Sequence, residues 1–251
     1  MSTLHRDHYS ISLYRQRDFA GQYDSDRFGN RFGEFLKNEE CAAFAGFLPA
    51  FDRVLDVGTG TGKLAIYLSD GGQVVASDAS LEMLLIARAS ARKSAKNIAF
   101  VVCDAHFLCF RDSAFDAVTS SRVLMHLTNW KECVAELCRV STKSVVIDFP
   151  HLCSFTAVER IYRRIKRAMC DKVQTYRSFS IRTVVREFEK SGFSAFRAER
   201  LFSLPIFVHR RINVPTMTTK LERVLRRVGF TRIFGSPVML RVDRTIRGGK
   251  G

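Results

Sequence analysis

The sequence predicts an α/β protein built on a mostly parallel sheet with helices on both faces. Three observations carry that expectation. Between residues 53 and 149, five short apolar runs alternate with stretches of helical spacing, the order that builds βαβ units. The runs are apolar almost throughout, as strands covered on both faces are. The first of them leads straight into a glycine-rich turn, V-L-D-V-G-T-G-T-G-K over residues 54–63, where a strand hands over to a helix.

The elements follow in order. Residues 1–30 mix polar and aromatic side chains, among them Tyr9, Tyr14, Phe19, Tyr23 and Phe28. Residues 31–47 carry Phe32, Phe35, Leu36, Ala43 and Phe47 on one side, a helix that Pro49 stops. Residues 53–57 form a first strand, and residues 63–69 open a helix beyond the glycines. A second strand, 73–77, lies between Gly72 and Asp78, and Ser80 caps a helix running to about Ala91 with Glu82 in its first turn. Residues 98–103, 115–120 and 144–149 are strands three to five. A helix over 130–140 separates the last two, with Cys133, Val134, Leu137 and Val140 at helical spacing. After Pro150 the pattern predicts a basic amphipathic helix over 155–168, a helix from Ser180 stopped by Gly192, a strand within 195–205, a helix over 219–228 ended by Gly229, and a strand over 237–243. The chain thus divides into an N-terminal helical cap segment (1–50), a core (51–150) and a basic C-terminal part (151–251) that completes the sheet and carries a substrate-side insert.

Composition excludes several classes. With 46% hydrophobic and 26% charged residues, the chain can bury a core. The longest stretch without Asp, Glu, Lys or Arg is eleven residues, 41–51, too short for a membrane span of about 18 apolar residues. The opening M-S-T-L-H-R-D-H-Y-S lacks the apolar core of a secretory signal. The seven cysteines contain no CxxC spacing, which points to reduced thiols in a cytoplasmic protein without a metal site. Charge is unevenly divided. Residues 1–150 hold 17 Lys and Arg against 18 Asp and Glu, whereas residues 151–251 hold 23 against 7. That asymmetry suggests an anionic partner (lipid head groups, nucleic acid or a phosphorylated substrate); solvated helix faces are the plainer alternative.

The glycine turn admits three readings. A phosphate-binding loop needs Gly where Val57 stands and a hydroxyl where Leu64 stands. A dinucleotide fingerprint needs a third glycine at Lys63. What remains is D-x-G-x-G-x-G, and here the chain resembles the class I S-adenosylmethionine-dependent methyltransferases. Asp56, Gly58, Gly60 and Gly62 match that family's first motif position for position. The resemblance implies a doubly wound, Rossmann-like sheet of seven mostly parallel strands with the last antiparallel, S-adenosylmethionine as cofactor and methyl transfer as activity. It also implies that the turn holds the methionine part of the cofactor while Asp56 attends its ammonium group.

The likeness continues along the next strands. Asp78 ends the second strand 22 residues after Asp56, in S-D-A-S-L-E-M-L, where the resemblance implies an acceptor for both ribose hydroxyls. Asp104, in C-D-A, matches the acid that receives the adenine amino group. Taken singly, each Asp is more often a strand-end cap or a solvated turn residue; in order at the ends of three strands, they fit one nucleoside. Ser120 and Ser121 match the segment that passes beside the methionine part, and His126 a histidine frequent among members that methylate small molecules and quinones, for which a structural role is favoured over a catalytic one. Tyr23, in G-Q-Y-D, resembles an aromatic lying over the cofactor, with core packing as an equal reading.

The acceptor expected from this pattern is a small or lipid-linked molecule, aromatic or isoprenoid, held by the N-terminal segment and by residues 151–177. Candidate general bases are His126, His151 and Tyr176. No N-P-P-Y sequence is present, which lowers the exocyclic amines of DNA and glutamine side chains as acceptors. The alternatives are an RNA (tRNA) methyltransferase using the basic half and a non-catalytic protein retaining the fold. Peripheral contact with an anionic membrane is favoured over nucleic acid because apolar residues interleave with the charges: Ile161, Tyr162 and Ile165 among Arg160, Arg163, Arg164, Lys166 and Arg167. Arg210, Arg211, Lys220, Arg223, Arg226 and Arg227 form a second cluster. The sequence leaves the oligomeric state open.

Overall fold

The structure, a computed structural model, describes residues 31–152, 177–203 and 215–245. In chain order it contains helix α1 (Arg31–Phe47), β1 (Arg53–Val57), α2 (Lys63–Leu68), β2 (Gln73–Asp78), α3 (Leu81–Lys93), β3 (Ala99–Val102) and β4 (Phe115–Ser120). There follow a 3-10 turn (Leu124–His126), α4 (Trp130–Val140), β5 (Ser141–Phe149), α5 (Ile181–Glu189), β6 (Phe193–Arg200), α6 (Pro215–Arg227), α7 (Phe230–Phe234) and β7 (Val238–Arg244). The seven strands form one sheet in the order β3-β2-β1-β4-β5-β7-β6. Strands β1 to β5 pair in parallel, and β7 lies antiparallel between β5 and β6. The expected sheet, including its inserted antiparallel strand, is the one observed.

Strand periodicity distributes the core. On one face Leu55, Val57, Val118, Val145 and Ile147 pack with Val134 and Leu137 of α4 and with Val184 and Phe188 of α5. On the other, Val54, Ala76, Ala117 and Val146 meet Phe44 and Phe47 of α1 and Leu64 and Leu68 of α2. Successive strand residues point to opposite faces, so the apolar runs of the sequence had to be continuous. Each fully buried aliphatic or aromatic side chain contributes about 1.5–3 kcal/mol, which outweighs the weak helical propensity of the β-branched residues in α4 and α5.

Local chemistry explains where the elements begin. Ser80 caps α3, its hydroxyl accepting from the N–H of Met83 at 3.2 Å. Ser180 caps α5 in the same way, accepting from Thr183 N–H at 3.1 Å. Asp116 clamps the start of β1 by accepting the N–H groups of Asp52 and Arg53 at 2.8 and 3.0 Å, and these bonds hold its carboxyl below the usual range. The structure extends several expected elements. Strand β5 begins at Ser141 because α4 passes into it with no intervening loop. Helix α6 starts at Pro215, a residue preset for the first helical position. The short helix α7 and the 3-10 turn had no sequence signature. Strand β6 starts at Phe193, directly after Gly192 at φ +80°. The basic helix expected over 155–168 lies outside the described residues, as do Tyr23, Tyr176, Arg210 and Arg211. Among the described residues no helix is long and apolar enough to cross a membrane.

The glycine turn after β1 is the tightest junction in the fold. Gly58 has φ +69°, and a Cβ there would stand 2.3 Å from Cγ2 of Val123 beyond β4. At Gly62, φ +81°, a Cβ would stand 2.8 Å from Cβ of Ala87 on α3. Replacing Gly62→Ala should therefore cost about 1–2 kcal/mol for the left-handed backbone and about 1–3 kcal/mol more for overpacking. Gly192→Ala, at φ +80° with nothing within 4 Å of the added carbon, should show the backbone cost alone. Urea unfolding of the two variants measures the difference, and equal losses would show that the approach to Ala87 is not a constraint.

Candidate functional site

One cleft opens along the carboxyl ends of the strands, with roughly 1290 Å³ of open space including its solvent-filled mouth. Its floor is the turn 58–61, and Asp56, Asp78 and Asp104 all line it. The three acids expected at the ends of strands one to three are thus brought to a single edge. Right-handed crossovers in a parallel sheet produce that result, since every strand from β1 to β4 points its carboxyl end the same way.

Each acid is held differently. Asp56 is fully buried between two hydroxyls: Thr59 donates to its Oδ2 at 2.7 Å and Thr119 to its Oδ1 at 2.9 Å. Burial pushes its carboxyl up to about 6, against the lowering effect of those bonds. Asp78 ties the turn to β2, accepting the N–H of Gly60 at 2.8 Å and the N–H of Ser80 at 2.9 Å. Its carboxyl is also raised, by burial. Asp104 accepts both the N–H and the ring Nδ1 of His106, at 2.9 and 2.8 Å. The loop carrying Asp104 is fastened from α4. Glu136 accepts the N–H of Leu108 at 2.8 Å, and Arg139 donates to the carbonyls of Leu108 and Phe110 at 2.9 and 2.8 Å.

At Ser120 only the backbone can border the cleft. Its side chain is buried in the sheet and donates to the carbonyl of Val57 at 3.1 Å, because the last residue of β4 still lies against β1. The wall of the cleft there is made by Ser121, Arg122 and Val123. Of the candidate bases, His126 lines the cleft. His151 does not; it sits beyond β5 with its Nε2 3.3 Å from Arg200, and burial together with that guanidinium lowers its pKa.

Several wall residues had no motif to announce them. Lys37, Glu40, Cys41 and Phe44 of α1 cover one side. Glu40 follows Lys37, Asn38 and Glu39 in the sequence, so nothing local marks it as the acid that becomes buried, and a buried carboxylate needs a partner. Its partner is Arg122, with which it forms an ion pair. Arg122 itself adopts φ +59°, a conformation that costs a non-glycine residue about 1–2 kcal/mol. Its N–H is anchored on Oδ1 of Asp148 at 2.5 Å. The pair fastens α1 over the cleft.

Comparison with known proteins agrees with this geometry. A family model described as a methyltransferase domain matches residues 54–144. The demethylmenaquinone methyltransferase of Mycobacterium sp. is 30% identical over 201 residues, 72% of this chain and 84% of that protein. The chain belongs to the class I S-adenosylmethionine-dependent methyltransferases. The protein of the same name from Thermus thermophilus is 34% identical over 139 residues, 53% of this chain, and the one from Deinococcus radiodurans 38% over 118 residues, 44% of it. The match spans only 63% and 49% of those two relatives. Among solved structures, the magnesium protoporphyrin IX methyltransferase of Synechocystis, with bound S-adenosylhomocysteine, has 17% identity and a TM-score of 0.60 over 91% of this chain and 98% of its own. Phosphoethanolamine N-methyltransferase 2 of Haemonchus contortus has 18% identity and a TM-score of 0.67 over 98% of this chain and 61% of its own. At such identities the likeness establishes the fold.

The cofactor of these methyltransferases is S-adenosylmethionine, and the cleft suits it. Gly60 lines the floor with nothing within 4 Å of the position its Cβ would take, so the backbone is open to close approach by a ligand. Acids lie along the cleft beside apolar walls of Met83, Ala105, Val123 and Leu127, an acceptor set matched to a nucleoside with a cationic end. The anchoring of the cleft wall is testable in the free methyltransferase. Asp148→Ala leaves the strained Arg122 N–H without its acceptor and should lower unfolding free energy by about 1–3 kcal/mol. Asp148→Asn keeps an acceptor oxygen and should lose less. Chemical denaturation distinguishes the two, and equal losses would refute the anchor.

Proposed function

We propose that the chain transfers the methyl group of S-adenosylmethionine to a quinone-type aromatic small molecule, one carried on a lipid tail. The observation that carries the reading is the gathering of Asp56, Asp78 and Asp104 around one cleft with His126 in its wall. Support for the acceptor class comes from the relatives, which are named for demethylmenaquinone and for ubiquinone and menaquinone biosynthesis. They are not named for RNA, so the nucleic-acid alternative gains no support from them. A non-catalytic role is disfavoured by the intact set of acids and glycines. Peripheral contact with an anionic membrane belongs to the same reading, supported by the 23 basic against 7 acidic residues of 151–251.

The bound cofactor supplies a sulfonium-activated methyl group suited to in-line displacement. Alignment and exclusion of water are what the protein adds. Asp56 would hold the ammonium group, Asp78 the two ribose hydroxyls and Asp104 the adenine amino group, and the backbone from Ser120 onward would border the methionine part; the resemblance gives Tyr23 the role of the covering aromatic. Phe44, Val123 and Leu127 line the cleft and keep it apolar. A phenol or an acidic ring carbon must lose a proton as it is methylated, and the imidazole of His126 takes it.

Calorimetry with S-adenosylmethionine tests the assignment of the acids. Asp78→Ala removes an acceptor worth about 1–3 kcal/mol if both hydroxyl bonds are buried, hence a loss of affinity of roughly 5- to 150-fold; unchanged affinity in a folded variant would overturn the assignment.

Asp56 adds a pH signature. Its carboxyl, raised to about 6, is neutral below that pH in the free protein, and a cationic ammonium favours the ionised form. Affinity should therefore rise from pH 5 to pH 7, with a proton released on binding near pH 5.5. Asp78, raised in the same direction, contributes to the trend, so Asp56→Asn should flatten it in part. In the free protein the sign is opposite. Stability contributed by the more tightly held proton is present below the unfolded pKa and is lost as pH rises through about 6.

A further inference from the structure

Helix α6, which packs on α7 and α1, is turned the wrong way round for an ordinary amphipathic helix. Glu222 faces the protein, its carboxylate accepting the N–H of Ser203 at 3.0 and 2.8 Å. Arg226, nearly on the same side, donates to the carbonyl of Leu201 at 3.2 Å. Leu221 and Val224 face outward, 37% and 54% exposed, and so does Val228, 71% exposed, in the turn directly after the helix, where its N–H still donates to Val224 O at 3.1 Å. At 100° per residue they fall within an arc of about 60°. Lys220, Arg223 and Arg227, all exposed, follow on one flank of that arc. Helix α7 adds Phe234, 38% exposed, and the exposed Arg232. A single exposed valine is ordinary; an outward apolar row bordered by cations, with the acid turned inward, is the arrangement of a helix that lies on an anionic interface.

Its position links it to the cleft. Leu201 N–H donates to Pro237 O and Ser236 N–H to Phe202 O, each 3.0 Å or less, so α6 and α7 stand at the carboxyl end of β6, the sheet edge on which the cleft opens. Helix α6 packs on α1, and α1 supplies Lys37, Glu40, Cys41 and Phe44 to the cleft wall.

We infer that α6 and α7 form a docking surface for an anionic lipid bilayer, with Leu221, Val224, Val228 and Phe234 entering the acyl boundary and Lys220, Arg223, Arg227 and Arg232 meeting the head groups. A second copy of the chain is the poorer occupant, since pairing through this face would bring two rows of cations together. The surface stands without any assumption about the acceptor. That docking brings the cleft to a lipid-linked substrate rests on the proposed function.

Sedimentation of the full chain with phosphatidylcholine vesicles, with and without phosphatidylglycerol, tests the inference. Binding should require phosphatidylglycerol and fade with salt. Val224→Asp with Val228→Asp should abolish it. Neutralising Lys220, Arg223 and Arg227 to Gln should weaken it about fivefold for each residue near the surface. Both variants should keep the wild-type affinity for S-adenosylmethionine by calorimetry, which shows that they fold. Equal binding by the variants, equal binding to neutral vesicles, no binding, or a vesicle-independent dimer that the Val224 and Val228 substitutions dissolve would each overturn it.

A methylation assay with a short-chain, soluble naphthoquinol and no vesicles separates the two claims. Vesicle binding without turnover of any quinol would leave the docking surface standing and remove the acceptor. Turnover without vesicle binding would do the reverse.

Discussion

The close approach of the backbone over residues 58–62 to its neighbours is the constraint on which the rest of the site depends. Three parts of the chain far apart in sequence meet there. The turn packs against Val123 beyond β4 and Ala87 on α3, while its Gly60 N–H is held by the carboxylate of Asp78 at the end of β2. A side chain at Gly58 or Gly62 would push these parts away from one another. Because the turn lies on them so closely, the ends of β1, β2 and β4 are held in one fixed relation, and the cleft is their common edge.

That edge is electrostatically demanding. Asp56 lies fully buried, and the hydroxyls of Thr59 and Thr119 with the backbone N–H of Ala65 offset only part of the loss of water, so its pKa stays raised. A carboxylate left in that condition favours a cation nearby, and the family to which the chain belongs uses a cofactor with a cationic end. The same logic governs the wall. Glu40 and Arg122 are both poorly exposed and pair with one another, while Arg122 tolerates an unfavourable backbone conformation because Asp148 accepts its N–H. Charges that would be costly separately become the fastening of α1 over the cleft.

The C-terminal part uses its charges in another way. Within the sheet, Arg241 and Arg244 donate to the carbonyls of Phe47, Cys138 and Ser141, and Arg197 lies 4.4 Å from the ring centroid of Phe47; these cations work as structural ties. Those on α6 and α7 border apolar side chains turned to solvent. Among the described residues the basic side chains of this part therefore divide into those that join β6 and β7 to their surroundings and those that face outward.

The sequence by itself determined the alternation of strands and helices, the caps at Ser80 and Ser180, the left-handed glycines and the three acids, because each is set by local rules: side-chain period, hydrogen bonding to neighbouring N–H groups and the sterics of a missing Cβ. The expected lengths of β5 and α6 fell short for a related reason. Residues such as Ser141 and Thr142 are neutral in pattern and become strand only through pairing with β4. Tertiary structure alone decided that Ser120 turns into the sheet while Arg122 reaches the cleft, that Glu40 meets a partner 82 residues away, and that α6 presents its valines outward. Those outcomes depend on which surfaces remain uncovered after the strands have paired, and no window of neighbouring residues contains that information.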